Sequence, residues 1–124
     1  MTPLQFADSL IAAFANSQSG AYFAHFSPDA TFLFHTTPGR LENRSDYETL
    51  WATWETEDAF QVLDCQSSNR RIQEFGDFAI FTHDVHTTVS VGGKPESSDE
   101  RETIVLQRTG TKWLATHEHL SAAP

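Results

Sequence analysis

Glu118, set between His117 and His119 in the run Trp113-Leu114-Ala115-Thr116-His117-Glu118-His119-Leu120, is the side chain best placed to move protons. Strand alternation sends Glu118 to one face with Leu114, Thr116 and Leu120, and His117 to the other with Trp113, Ala115 and His119. A carboxylate on the pocket side of an apolar strand has a raised pKa, and a nearby His83 or Arg101 would hold it charged. Such a group serves either as a catalytic acid or base, or as a structural ion pair between strands. Both faces of the run are part apolar and part ionisable, a pattern that one solvated face does not explain. It fits a sheet with a pocket on one side and a partner on the other.

The other proton carriers are histidines, of which the chain has six: His25, His35, His83, His86, His117 and His119. Imidazoles titrate near neutral pH, so His35 and His83 join Glu118 as candidate acids or bases. His117-x-His119 and His83-x-x-His86 invite a zinc or iron reading, but no third ligand is placed by the spacing and no metal site is assigned. The bland alternative puts His117 and His119 on the convex face of the sheet, hydrogen-bonded within or across a dimer. Nucleophilic chemistry has little support. Cys65 sits mid-strand without a basic neighbour to lower its pKa, and no serine stands on a Gly-x-Ser-x-Gly elbow. The chemistry read here is proton transfer without a cofactor.

Charge and composition narrow the class of partner. The formal net charge is −9, with 17 acidic residues against 8 basic ones, and only Arg70 and Arg71 are adjacent. Nucleic acid needs a clustered positive footprint and is excluded as a partner. At 124 residues and 39% apolar content, with ten Phe and three Trp, the chain is expected to be one globular domain, residues 1–124, with a real core. No apolar run approaches a membrane span, and Met1-Thr2-Pro3 opens no secretory signal. The single Cys65 forms no internal disulfide, so the cytoplasm is the expected location.

The elements that must position these groups are legible from periodicity. Thr2-Pro3-Leu4-Gln5 is a capping box with Pro at the first helical position, and Leu4, Ala7, Leu10, Ile11 and Phe14 recur at helical spacing. Ala21 to Phe26 reads as one or two further helical turns, broken by Ser27-Pro28-Asp29. Ala30 to Thr36 reads as the first strand and Thr37 to Asn43 as a loop. Ser45-x-x-Glu48 is a second capping box before the stripe Tyr47, Leu50, Trp51 and Trp54, which runs to about Glu57. From Phe60 the period is two, with Phe60 and Val62 on one face and Leu63 and Cys65 on the other. Gly76-Asp77 turns the chain into Phe78 to Val91, where Ala79, Phe81, His83 and Val85 share a face. A Gly92-Gly93-Lys94-Pro95 turn and an acidic stretch to Glu100 precede the closing hairpin, Arg101–Arg108 and Lys112–Ser121. Helices, strand, helix and then hairpins argue α+β with a mainly antiparallel sheet.

The closing hairpin carries a resemblance. Arg101-x-Thr103, an apolar strand, Gly110-x-x-Trp113 and then His117-x-His119-x-Ser121 resemble the C-terminal half of SnoaL-like domains of the nuclear transport factor 2 superfamily. The association domain of calcium/calmodulin-dependent protein kinase II ends in a similar way. The resemblance implies a cone-shaped cystatin-like fold, usually a homodimer, with a cavity between a curved sheet and N-terminal helices; the loop after the first strand would border its mouth. Superfamily members include isomerases, cyclases and oligomerisation hubs, so resemblance alone does not choose. In the steroid isomerases of this superfamily an Asp follows the Asp-Ala-Thr start of the first strand; here Asp29-Ala30-Thr31 leads to Phe32-Leu33-Phe34-His35, and only His35 stands nearby. The Tyr-plus-Asp oxyanion pair of those enzymes is likewise not readable from spacing. A gapless match to the kinase association domain puts Ile104 and Leu120 where two of its cavity arginines stand.

The expected ligand is therefore a modest apolar or aromatic molecule, lined by Phe14, Phe34, Trp51, Trp54, Phe81 and Leu120, with His35, His83 or Glu118 as acid or base. The same aromatics would also serve simply to fill the cone. The competing reading is a non-catalytic dimerisation module with a vestigial cavity.

Overall fold

The computed structural model describes residues 1–124. Helix α1 spans Pro3–Ala15 and starts as a full capping box: Thr2 Oγ1 accepts from Gln5 N, and Gln5 Oε1 accepts from Thr2 N. It buries Phe6, Ala7, Leu10 and Ala13, the stripe its spacing predicts. A short helix α2, Ser19–Phe23, follows, and strand β1 runs Phe26–Phe34. The helical turns expected through Phe26 thus stop at Phe23, and the strand starts four residues before Ala30. Phe26 is fully buried as a strand residue opposite Ala115 of the last strand, which draws the backbone into extended form before Pro28.

Helix α3 spans Arg44–Asp58, and its cap corrects the sequence reading. Asn43 Oδ1, rather than Ser45, accepts from the backbone N–H of Asp46 at 2.8 Å. Arg44 takes the other polar partners, Glu48 Oε1 at 3.1 Å and the Phe26 carbonyl at 3.0 Å. The helix ends at Ala59 in a left-handed conformation, φ 48°. Four long strands follow: β2 Gln61–Phe75, β3 Phe78–Val91, β4 Lys94–Thr109 and β5 Lys112–Ala122.

The sheet has the order β1-β5-β4-β3-β2, with β1 parallel to β5 and every other pair antiparallel. It is an open, mainly antiparallel sheet carrying N-terminal helices on one face, the α+β cone the sequence implied. The turn expected at Gly92–Pro95 ends at Gly93, and the acidic stretch to Glu100 is the first part of β4, hydrogen-bonded to β3 from Val91↔Lys94 onward. Pro95 is tolerated there because β5 pairs with β4 only from Glu100.

Bulges decide which side chains face the helices. In β5 the register jumps between Val105↔His117 and Leu106↔Ala115, leaving Thr116 as an extra residue. An extra residue reverses the alternation. Trp113 and Ala115 are therefore buried on the same side as Glu118 and Leu120, and not with His117 and His119 as simple alternation predicts. A register shift between Val62 and Asp64 does the same in β2, turning Val62 and Cys65 inward together and leaving Leu63 48% exposed. The core between the inner face and the helices is aromatic: Phe26, Phe32 and Phe81 are wholly buried, and Tyr47 lies edge-on to Phe23 and Phe32. No helix is long and apolar enough to cross a membrane.

Candidate functional site

The helices do not fill the cone. A cavity of about 450 Å³ lies between them and the inner face of the sheet, a size suited to a small ligand. Helix α3 contributes Tyr47, Trp51, Trp54 and Asp58 at intervals of four, three and four residues, one stripe of an α-helix. Helix α1 adds Leu10, Ile11 and Phe14, and α2 adds Tyr22. Alternate residues of β3 (His83, Val85, Thr87) and of β4 (Ser98, Glu100, Glu102) form the opposite wall, with Glu118 and Leu120 from β5. Thr36 and Thr37, just beyond β1, border it, as expected of that loop.

A chain of polar groups runs through the buried end. Ser67 Oγ lies 2.6 Å from His83 Nδ1, and His83 Nε2 lies 2.7 Å from Glu102 Oε1. The Glu102 and Glu118 carboxyls are neighbours at this buried end, and the charge of one shifts the titration of the other. Tyr22 Oη donates to Glu118 Oε1 at 3.3 Å and lies 3.1 Å from Tyr47 Oη. Buried polar groups persist only when partnered in this way. One tautomer satisfies the His83 contacts: Ser67 donates to Nδ1, and His83 donates from Nε2 to Glu102.

The environment sets the protons. Burial first, then the charge of Glu102 and the hydrogen bond given to it, push Glu118 well above the usual carboxyl range. Burial also raises Glu102, but accepting from Glu118 pulls it back. Burial thus favours a proton held between the two carboxyls, so that the pair carries one acid and one carboxylate. Burial and then Arg70 lower His83 to about 4, so its ring is neutral at neutral pH. Desolvation holds both tyrosines as phenols, well above their ordinary value. The floor thus presents a carboxylic acid and two phenols as donors beside a carboxylate base, a set able to take a proton from one atom of a ligand and give one to another.

The residues expected from sequence divide clearly. Phe14, Phe34, Trp51, Trp54, Leu120, His83 and Glu118 all line the cavity. Phe81 does not: it is wholly buried under His83, ring centroids 4.5 Å apart, with the Arg70 guanidinium 5.4 Å from its ring. His35 is exposed and does not line the cavity; it reaches the rim through Glu100, Nε2 to Oε2 at 2.6 Å. Arg101, offered as a partner for Glu118, is exposed on the outer side, because Glu100 and Glu102 hold the inward positions of β4.

Tyr22, Tyr47 and Glu102 complete the floor and were not singled out by sequence. Tyr47 stood on the α3 stripe, and Glu102 alternates with Glu100; reading β4 as a strand from Lys94 would have exposed the second signal. His117 and His119 lie on the outer face, with His117 Nδ1 2.8 Å from Thr31 Oγ1, and His86 pairs with Asp99 in solvent. No three His, Cys, Asp or Glu side chains gather as a metal site. Burial pushes the Cys65 thiol up to about 11, which removes it as a thiolate nucleophile. Ser67 does not line the cavity, and a His83 of such low basicity would not activate it.

Comparison with known proteins places this geometry. No curated protein matches the chain. Among solved structures, an NTF2-like protein of unknown function in nutrient uptake from Rhodospirillum rubrum is 16% identical, with a TM-score of 0.83 over 100% of both chains. A ketosteroid isomerase-like protein from Erwinia carotovora is 16% identical, with a TM-score of 0.81 over 98% of this chain and 94% of its own. A calcium/calmodulin-dependent protein kinase II hub from S. rosetta is 21% identical, with a TM-score of 0.78 over 99% and 98%. These likenesses establish the nuclear transport factor 2-like fold. The profile of the SnoaL-like domain matches residues 4–124, nearly the whole sequence, and the chain belongs to that family.

Proposed function

We propose that this chain binds a modest apolar or aromatic molecule in its cavity and moves a proton on it without a cofactor, as an isomerase or cyclase does. The observation that carries the reading is the pair of buried carboxyls Glu102 and Glu118, backed by two phenols, lining an aromatic cavity of about 450 Å³. Glu102 is the base that takes a proton from carbon or oxygen. On binding, Glu118 and Tyr22 turn their single O–H groups from their resting partners to the oxygen that gains charge, and the proton held by Glu102 is then returned to the product. His83 positions Glu102, and His35 acts from the rim through Glu100. Phe14, Phe34, Trp54 and Leu120 shape the binding surface; a cytoplasmic location suits such a role.

A thermal-melt screen of aromatic and alicyclic ketones tests the binding. Trp54 lines the cavity and is only partly buried, so Trp54→Ala removes contact area without emptying the core. A ligand that raises the melting temperature of the parent is expected to bind Trp54→Ala about tenfold to a hundredfold more weakly, the loss of roughly one buried aromatic face. Equal binding by both proteins would move the site elsewhere.

The hub from S. rosetta and a putative association domain from Xanthomonas campestris, each 21% identical, favour a second reading, an assembly module. A homodimer through the outer face of the sheet, where His117 and His119 lie, serves either reading. Sedimentation as a monomer at micromolar concentration would remove the dimer.

A further inference from the structure

The charges that line the cavity are all of one sign. Asp58, Glu96, Glu100 and Glu102 line it beside the protonated Glu118, and no Lys or Arg does. Glu96, Ser98, Glu100 and Glu102 occupy every second position of β4, so they form one row from the open end toward the floor. Asp58 closes the α3 stripe, after Tyr47, Trp51 and Trp54. Gly92 N donates to Asp58 O at 2.6 Å, fastening the end of α3 to the β3–β4 turn and bringing Asp58 and Glu96 to the same mouth. The cavity therefore lies between a carboxylate row and an aromatic stripe.

The inner carboxyls are partnered, Glu102 by His83 and Glu118 by Tyr22, and the outer ones much less. Glu100, 8% exposed, touches His35 and accepts from Ser98 at 3.2 Å. Asp58 and Glu96 have no ion-pair partner. An anionic ligand would meet carboxylates along one whole wall. A neutral ligand would leave them unused. An organic cation gains from both walls, because an ammonium is attracted to carboxylates across a poorly hydrated gap and to the faces of Trp and Tyr.

We propose, resting on the small-molecule reading above, that the ligand is an aromatic or alicyclic amine that binds protonated, with its ring system among Phe14, Trp51 and Trp54 and its ammonium held at the mouth by Glu100, Glu96 and Asp58. This sets the direction of entry: the ring system goes in first, with any ring oxygen toward Tyr22 and Glu118, and the charge stays at the rim.

Isothermal titration of the full chain with naphthylethylammonium, naphthylethanol and naphthylpropanoate tests the charge, since the three probes share one ring system. The ammonium is expected to bind at least about tenfold tighter than the alcohol, with the carboxylate weakest. Glu100→Gln keeps its hydrogen bonds and is expected to shrink that gap several-fold; the exposed pair Asp58→Asn with Glu96→Gln gives the same readout if Glu100→Gln does not fold. If the alcohol or carboxylate binds as tightly as the ammonium, the charge assignment is overturned and the small-molecule reading stands. If none of the three binds at millimolar concentration, both fall.

Discussion

Glu118→Gln is expected to slow proton transfer on a bound ketone by about a hundredfold to ten-thousandfold while leaving the fold and ligand affinity in place. The reason is local. A glutamine amide still donates to Glu102 and still accepts from Tyr22, so the buried chain of partners survives. It has no proton to release to a developing oxyanion, and the amide dipole replaces an acid that burial has primed. The assay is exchange of the ketone's α-protons for solvent deuterium, followed by NMR, on a ligand found in the melt screen. Exchange in Glu118→Gln at the parent rate would take Glu118 out of the chemistry. Glu102→Gln is expected to lose as much or more, because it removes the base itself.

The two long helices and the succession of elements along the chain were legible in the sequence, because local signals act locally, whereas the parallel pairing of β1 with β5 was not. The Thr2 capping box and the stripe from Leu10 to Phe14 define α1 without help from the rest of the chain. The stripe that carries Tyr47, Trp51 and Trp54 likewise defines α3, although its cap is Asn43, whose side chain accepts from Asp46 N, and not Ser45. The faces of the strands were less legible. An extra residue at Thr116 reverses inside and outside in β5, and nothing in the side chain of Thr116 announces it. The inference that Glu118 faces a pocket survived because the bulge precedes it, whereas the grouping of Trp113 with the histidines did not.

The rest of the floor was hidden for two reasons. Tyr22 sits on a five-residue helix, and its partner Tyr47 is 25 residues away, so neither periodicity nor spacing joins them. Glu102 was hidden by its own chemistry. Charged residues on an inward face contradict the usual alternation of apolar and polar side chains, so Glu96 to Glu100 read only as an acidic stretch before the hairpin, and Glu102 within Arg101–Arg108 went without a role. Such departures from pattern concentrate where a site needs polar groups in an apolar place.

The pH dependence of stability carries the second large effect. His83 is held at about 4 against an ordinary 6.5, so the unfolded chain binds the extra proton first as pH falls. Stability contributed by the neutral ring is complete above 6.5 and is lost as pH drops toward about 4, by up to about 3 kcal/mol. His83→Gln, which keeps a side-chain amide between Ser67 and Glu102, is expected to flatten that acid limb in denaturant melts. A parent protein that gains stability relative to the variant on acidification would mean that the contact with Glu102 outweighs burial. Glu118 acts at the other end. Its folded pKa lies above its unfolded one, so its contribution is present in acid and is lost as pH rises through the folded value.

Site-resolved NMR titration of the Glu118 side-chain carboxyl carbon reads that folded value directly. The account predicts a midpoint well above that of the exposed glutamates in the same spectrum, with the Glu102 signal responding in the same step because the two share the proton. A Glu118 midpoint at or below those of the exposed glutamates would contradict it, leaving a charged carboxylate in an ordinary ion pair and no acid at the floor of the cavity.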